Sequence, residues 1–372
     1  MDICVVFPSP VNRSHESIAI RINDFIRLFR PHVDKISIIV PQCAMNYVDD
    51  KGIKYAGNVT CPYPNEKVVR LLIGEVKAWI QILIGIYRLD KDTDTIFFRG
   101  RLSTVIIPLL ASRIAGYKCV LMIEAIGSRL IGDKTRARIY RFIELIAFTA
   151  ADKIVVNVPN LISDSALMRY NGKVFPQSVS TRYINDNFRT MTKINDRENV
   201  IGYIGRMSKE KGIINMIEAC RKLNIKYRSK LKFLFAGDGD MYQEVQKRAG
   251  YVQLLKWIDH CNMPKLLNKI KILVLPSDYE GMPTIILEAM ACGVIVVANR
   301  IGAVPDVIDN GVNGFIVDSN KPDDIVECIS RILQSDELDI ISNNARLYID
   351  GMYRYEILNG VYSGLISEIN IP

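Results

Sequence analysis

Short runs of consecutive apolar, β-branched residues alternate with segments in which apolar positions recur at helical spacing, and this alternation persists along the whole chain. Residues 2–7, 35–40, 95–98, 118–123 and 153–156 read as strands buried on both faces, with helical patterns such as 14–29 and 136–148 between them. Such strands joined by helices imply right-handed βαβ units and therefore a parallel sheet covered on both sides. The scheme repeats in the second half. Strands are predicted at 200–204, 233–236, 252–255, 272–275, 294–298 and 314–317, with helices starting near Gly212, Met241, Met263, Thr284 and Pro322. Residues 185–199 are polar and charged without an apolar period, which reads as an interdomain linker. The pattern predicts an α/β chain of two doubly wound, Rossmann-like domains facing a cleft.

Length and composition agree. The chain has 372 residues, enough for two or three domains at about 150 residues each, and its 49% apolar and 24% charged residues are the balance of a folded globular protein. Charge is unevenly placed. Residues 1–190 carry 26 basic and 17 acidic side chains (+9), whereas 191–372 carry 22 and 23 (−1), so the halves are expected to meet different partners. The eight cysteines show no C-x-x-C and mostly sit in apolar runs, which predicts reduced, buried thiols in a cytoplasmic protein. No signal-peptide pattern precedes the first strand. The longest apolar stretches, near 78–87 and 104–112, fall short of the ~20 residues a spanning helix needs, although a mean hydropathy of +0.12 leaves surface attachment open.

Ligands of doubly wound sheets bind beyond the carboxyl ends of the strands, and the second half is rich in candidate chemistry there. After strand 272–275 the chain reads Pro276-Ser277-Asp278-Tyr279-Glu280-Gly281-Met282-Pro283-Thr284 and then turns helical. Gly281 lets backbone approach a ligand, and Pro283 has a φ suited to starting a helix. The free N–H groups within 282–285, at the positive end of the helix dipole, make an anion site. Glu288 lies one turn beyond Thr284, so its carboxylate shares that face and can accept from both hydroxyls of a ribose diol. A nucleotide sugar offers both groups. Glu280 precedes the turn and can project over a sugar ring. The alternative is that both are ordinary first-turn and solvent-facing acids, which the apolar neighbourhood Ala289-Met290-Ala291-Cys292-Gly293 argues against. The second cluster, Gly205-Arg206 to Lys211-Gly212, brings two cations to the start of another helix, where they can meet a diphosphate.

Gly205-Arg206…Lys211-Gly212, Phe235-Ala236-Gly237-Asp238-Gly239, Glu280-Gly281-Met282-Pro283…Glu288-Ala289-Met290-Ala291-Cys292-Gly293 and Asn313-Gly314-Phe315 together closely resemble the donor domain of retaining GT-B glycosyltransferases of family 4. The resemblance covers about 190–350. It implies a GT-B fold with an acceptor-side domain at 1–188, a nucleotide-sugar domain at 189–350, and a terminal helix, 351–372, crossing back to the first domain. It further implies that Arg206 and Lys211 bind the donor diphosphate, Glu280 contacts the sugar and Glu288 holds the ribose, with the backbone of Gly205, Gly281, Met282, Pro283 and Thr284 lining the site. In the first half the likeness is weaker. Pro8-Ser9-Pro10-Val11-Asn12-Arg13-Ser14 stands where the family often has paired glycines. Ile126 replaces a usual histidine, while Glu124 remains as a candidate acceptor or sugar contact, with a buried structural acid as the alternative.

Weaker signals stay outside the expected site. Asp92-Thr93-Asp94 precedes a strand, Asp238-Gly239-Asp240 reads as a turn with Asp240 capping the next helix, and His15, His32 and His260 read as surface or packed imidazoles. No metal and no separate cofactor is expected. Arg129, Lys134, Arg136, Arg138 and Arg141, interleaved with Ile131, Ile139, Tyr140 and Phe142, can lie on anionic lipid, with a solvated helix face as the alternative. Nucleic acid is not expected as a partner. The predicted activity is metal-independent transfer of a sugar from a nucleotide-diphosphate sugar to a hydroxyl acceptor, a glycan or lipid-linked glycan, with retention of configuration. The enzyme would be cytoplasmic and peripheral at the inner face of the membrane. Alternatives are an epimerase or sugar phosphorylase of the same fold, or a nucleotide-sugar-binding protein without catalysis. A dinucleotide-dependent dehydrogenase is excluded by the lack of G-x-G-x-x-G in the first turn.

Overall fold

Period-2 alternation along each strand decides which side chains join which layer. The computed structural model describes residues 1–10, 15–41, 48, 52–61, 68–124, 126, 128, 134–157, 159–162, 164–180, 183–278 and 283–370. They form two units, Met1–Tyr183 with Tyr355–Pro372, and Ile184–Arg354.

The first unit contains β1 (Asp2–Val6), β2 (Ser9–Pro10), β3 (Lys35–Val40), β4 (Ile53–Asn58), β5 (Thr60–Cys61), β6 (Thr93–Arg99), β7 (Lys118–Ile123) and β8 (Lys153–Val156). Six of them make one parallel sheet, β4-β3-β1-β6-β7-β8, and β2 pairs with β5. Cys4 and Val6 of β1 point into the layer under helices Val68–Tyr87, Leu102–Ile114 and Lys134–Ala150. Ile3 and Val5 point the other way, onto helices His15–Phe29 and Tyr355–Asn370. Three rings lock that second layer: Phe29 lies 4.7 Å from Phe97 and 4.8 Å from Tyr362, both edge-on. The phenol of Tyr362, from the last helix, donates to the Ser180 carbonyl at 3.2 Å. Helix Val68–Tyr87 lies close on the sheet because Gly85 faces β3, where a Cβ would stand 2.7 Å from Ile39 Cδ1.

The second unit repeats the plan with β9 (Val200–Ile204), β10 (Lys232–Ala236), β11 (Val252–Leu255), β12 (Ile272–Leu275), β13 (Ile295–Asn299) and β14 (Phe315–Val317). All pair in parallel, in the order β11-β10-β9-β12-β13-β14. Tyr203, Phe235, Val274 and Val297 pack under helices Ile213–Lys226 and Pro322–Leu333. Leu234, Leu273 and Val296 pack under Thr284–Ala291 and Leu338–Met352. Gly202 in β9 makes room for Ile270, whose Cδ1 would be 2.6 Å from a Cβ there.

Residues 185–199, despite their polarity, are packed into this unit. Phe188 and Ile194 are buried, and Arg197 is only 5% exposed. Its guanidinium donates to the carbonyls of Thr192 (3.0 Å), Ile270 (2.8 Å) and Cys292 (2.6 Å). Burial lowers its pKa to about 10, so it stays charged at neutral pH. One cation thereby ties three segments together. Arg197→Leu strands those carbonyls and is expected to destabilise the second unit by about 3 kcal/mol, read as a lower urea midpoint with an unchanged slope.

Candidate functional site

In the second sheet β9 and β12 are neighbours, yet the chain leaves β9 for β10 on one side and β12 for β13 on the other. The loops after these two strands therefore diverge, leaving the crevice at which doubly wound sheets receive ligands. The described donor-site candidates of the second half lie on these loops or on the helix that follows β12.

Backbone hydrogen bonds fix the loop after β9. Gly205 N–H donates to Ala236 at 3.0 Å and Met207 N–H to Asp238 at 2.8 Å, while the buried Tyr203 hydroxyl donates to the Arg206 carbonyl at 2.7 Å. A tight turn, Lys209–Lys211, ends on Gly212 at φ 68°. A Cβ at Gly212 would collide with the Pro276 carbonyl, and one at Gly237 with the Gly205 carbonyl. The two switch loops are then bonded directly, with Asp278 N–H donating to Glu210 at 2.9 Å. Asn299 Nδ2 holds the Ser277 carbonyl at 3.0 Å from the neighbouring strand. Gly212→Ala should force the loops apart and adds the cost of a left-handed alanine, about 1 kcal/mol. A fall in donor affinity of at least tenfold, with the protein still folded by circular dichroism, is the expected result.

Arg206 is exposed, and its Nη2 lies 3.3 Å from Glu210 Oε1. Ser208 Oγ donates to the same oxygen at 2.7 Å. Partial burial works to raise the Glu210 pKa, but the Ser208 hydroxyl, the backbone and the charges of Arg206 and Lys211 outweigh it and hold it below the usual glutamate range. Two cations thus share one local carboxylate, a half-exposed arrangement worth at most ~1 kcal/mol that a diphosphate can displace.

Beyond β12, Pro283 occupies the N-cap position of helix Thr284–Ala291, and Ile286 N–H returns to the Pro283 carbonyl at 3.0 Å. Proline has no N–H, so within the expected donor run the described donors ahead of Ile286 are those of Thr284 and Ile285. Glu280, Gly281 and Met282 lie outside the described residues. Glu288 is 4% exposed, and its Oε1 lies 3.0 Å from His260 Nε2. The imidazole also packs 5.1 Å from the Phe188 ring. His260, read as a surface or packed imidazole, is packed, and it also belongs to the surroundings of Glu288, a pairing invisible at 28 residues' separation because it depends on how the turn after β11 returns over the helix.

Two further expectations need correcting. Asp240 does not cap the next helix: that helix is Tyr242–Arg248 with Met241 as N-cap, because Met241 N–H is drawn to the Met207 carbonyl at 2.9 Å. Asp238 accepts from Gly239 N–H at 2.8 Å. Of the six cysteines whose side chains are described five are buried, burial pushing the Cys119 and Cys292 thiols up to about 12, but Cys261 is exposed beside His260.

In the first unit the strand order reverses between β1 and β6. Glu124, just after β7, is exposed and forms an ion pair with Arg99 at the end of β6. The Arg99 side chain is 6% exposed and its guanidinium sits 4.4 Å above the Phe7 ring, just after β1. Glu124 is therefore at a carboxyl edge rather than in the core, with an arginine the sequence did not single out. Ile126 is buried at 3%.

Residues 185–347, nearly all of the second unit, match the family of glycosyl transferases group 1. An uncharacterized glycosyltransferase of Methanocaldococcus jannaschii is 31% identical over 177 residues, 46% of this chain and 45% of that protein. The first curated relatives are thus matched over about half their length or less, 45%, 47% and 38%. The UDP-Gal:alpha-D-GlcNAc-diphosphoundecaprenol alpha-1,3-galactosyltransferase of Escherichia coli is 24% identical over 305 residues, 74% of this chain and 75% of that one. Among solved structures, Anabaena HepE in complex with UDP aligns with a TM-score of 0.72 at 15% identity over 99% of this chain and 100% of that one. That likeness shows the fold: the chain is α/β of the GT-B type, two units each built on a parallel six-stranded sheet.

Proposed function

We propose that this chain is a retaining glycosyltransferase that moves a sugar from a nucleotide-diphosphate sugar to a hydroxyl of a glycan or lipid-linked glycan, without a metal ion. The observation that supports the reading is the bonded pair of switch loops after β9 and β12, one carrying Arg206 and Lys211 and the other leading in sequence to helix Thr284–Ala291, within the segment matching glycosyl transferases group 1. HepE, of the same fold, has been crystallised with UDP and with UDP-glucose.

In the reaction the bond between the anomeric carbon and the β-phosphate oxygen breaks, its electron pair leaving with the diphosphate, and a bond to the acceptor oxygen forms. The acceptor proton passes to the departing phosphate. Charge accumulates on the diphosphate as the bond lengthens, and Arg206, Lys211 and the N–H groups of Thr284 and Ile285 are the groups to absorb it. Fixed donors need no reorganisation, which is why they lower the barrier and supply what a divalent ion would otherwise provide. Glu280 opposes the positive charge growing on the sugar. Glu288, steadied by His260, holds the ribose hydroxyls, and Glu124 serves the acceptor side. A lipid-linked acceptor, such as the GlcNAc-diphosphoundecaprenol for which the Escherichia coli relative is named, would bring the chain to the cytoplasmic membrane face as a peripheral protein.

A thermal-shift screen against UDP, GDP and ADP sugars, followed by transfer assays with the stabilising donor, tests this reading. Stabilisation by one nucleotide sugar and transfer to an added acceptor is the expected outcome. Binding without transfer or hydrolysis would leave only a nucleotide-sugar-binding protein, and an epimer formed from donor alone would make it an epimerase.

A further inference from the structure

Helices Val68–Tyr87, Leu102–Ile114 and Lys134–Ala150 lie side by side over one face of the first sheet, the middle one touching both others. Their inner sides are spent on the core. Their outer sides are unusual for a protein in water. On the first helix Ile73, Val76, Ile80, Ile84 and Tyr87 are 64%, 45%, 53%, 46% and 91% exposed. The spacing of three and four residues makes one stripe, about 20 Å long at the helical rise. On the third helix Ile139, Phe142 and Leu145 form a second stripe, and Ile107 and Ile114 of the middle helix are exposed between them. Half of all exposed large apolar side chains among the described residues fall on these three helices. A clustered apolar surface of this kind marks an interaction site.

Charge says what the surface fits. The three helices contain two carboxylates, Glu75 and Glu144, and both are turned inward, 6% and 3% exposed. Glu144 accepts from Ser128 N–H at 2.9 Å and from its hydroxyl at 2.6 Å, and Glu75 accepts from the Ser103 hydroxyl at 3.1 Å. The cations remain outside: Lys77, Lys134, Arg136, Arg138 and Arg141 are all exposed. We infer that this three-helix face docks on an anionic lipid surface, with Phe142, Ile139 and the Ile73–Tyr87 stripe entering the headgroup layer and the basic side chains meeting lipid phosphates. A second copy of the chain would oppose cation to cation, and nucleic acid would leave the apolar stripes unused. Among the described residues no helix is long and apolar enough to cross a membrane, so the contact is peripheral.

This surface rests on the glycosyl-transfer reading only for its purpose, a lipid-linked acceptor, and is tested apart from it. The full chain is floated with vesicles of phosphatidylcholine alone or mixed with phosphatidylglycerol, at low and at high salt. Flotation with the anionic vesicles, lost at high salt, is expected. It should fall at least about tenfold in Ile139→Ser/Phe142→Ser and in Arg138→Glu/Arg141→Glu. Ile80→Ser/Ile84→Ser should weaken it similarly, while transfer to a soluble acceptor is unchanged in all three. No flotation at low salt, equal binding to neutral vesicles, or a concentration-dependent dimer abolished by the same substitutions would each overturn the proposal. A chain that transfers sugar but ignores vesicles refutes the docking alone, and one that floats but transfers nothing refutes the transfer reading alone.

Discussion

Lys211→Ala is expected to lower kcat by two to three orders of magnitude, about 3–4 kcal/mol of lost transition-state stabilisation, with a smaller effect on donor KM. The size of the effect comes from where the lysine is anchored. It ends the Lys209–Lys211 turn directly before Gly212, whose left-handed backbone is seated against Pro276, while the preceding Glu210 carbonyl is bonded to Asp278. The ammonium therefore starts from backbone tied to both switch strands rather than from a free loop. A donor whose leaving group gains charge during bond breaking draws more from that cation in the transition state than in the ground state. Steady-state rates over a range of donor concentrations give the comparison. Normal turnover by a folded variant would remove Lys211 from the mechanism.

Glu288→Gln should act on the other constant, raising donor KM about 10–100-fold while kcat changes little. The carboxylate is almost fully buried and paired with His260, so its conformation is set before any ligand arrives. Two ribose hydroxyls bonded to a fixed carboxylate gain charge-assisted hydrogen bonds worth roughly 1.5–3 kcal/mol, whereas glutamine keeps one acceptor oxygen of the two and loses the charge. His260→Ala keeps the acid but frees it to turn. Its expected effect is smaller, a few-fold in KM, because it acts through Glu288. Calorimetric titration with the nucleoside diphosphate alone checks the assignment, since a ribose contact must show in the diphosphate's Kd even without a sugar. Unchanged affinity in Glu288→Gln would refute it.

The strands were the most legible part of the chain. Parallel strands covered on both faces are continuous apolar runs, and those predicted at 200–204, 252–255 and 272–275 coincide with β9, β11 and β12. β4 was not read, because Ile-Lys-Tyr-Ala-Gly-Asn sits at the sheet edge, where Lys54 and Tyr55 are exposed and the apolar run is broken. Helix Leu102–Ile114 is so apolar all round, and carries Pro108 within it, that its period is weak. At the candidate site the short-range features were readable: cations beside Gly212, and an acid one turn into a helix. What sequence could not show were partners brought from afar, His260 to Glu288 and Arg99 to Glu124. Neither pairing leaves a spacing signature, since each depends on which strands are neighbours.

The helix Tyr355–Asn370 belongs to the first unit, where Tyr362 closes the ring cluster with Phe25 and Phe29. During synthesis that layer stays open to solvent until those residues leave the ribosome, long after its strands have been made. The contiguous stretch Ile184–Arg354 has all its own strands and helices earlier, so the later-encoded unit is the one able to close first. Truncation after Arg354 would accordingly damage the amino-terminal half of the protein rather than the half from which residues were cut.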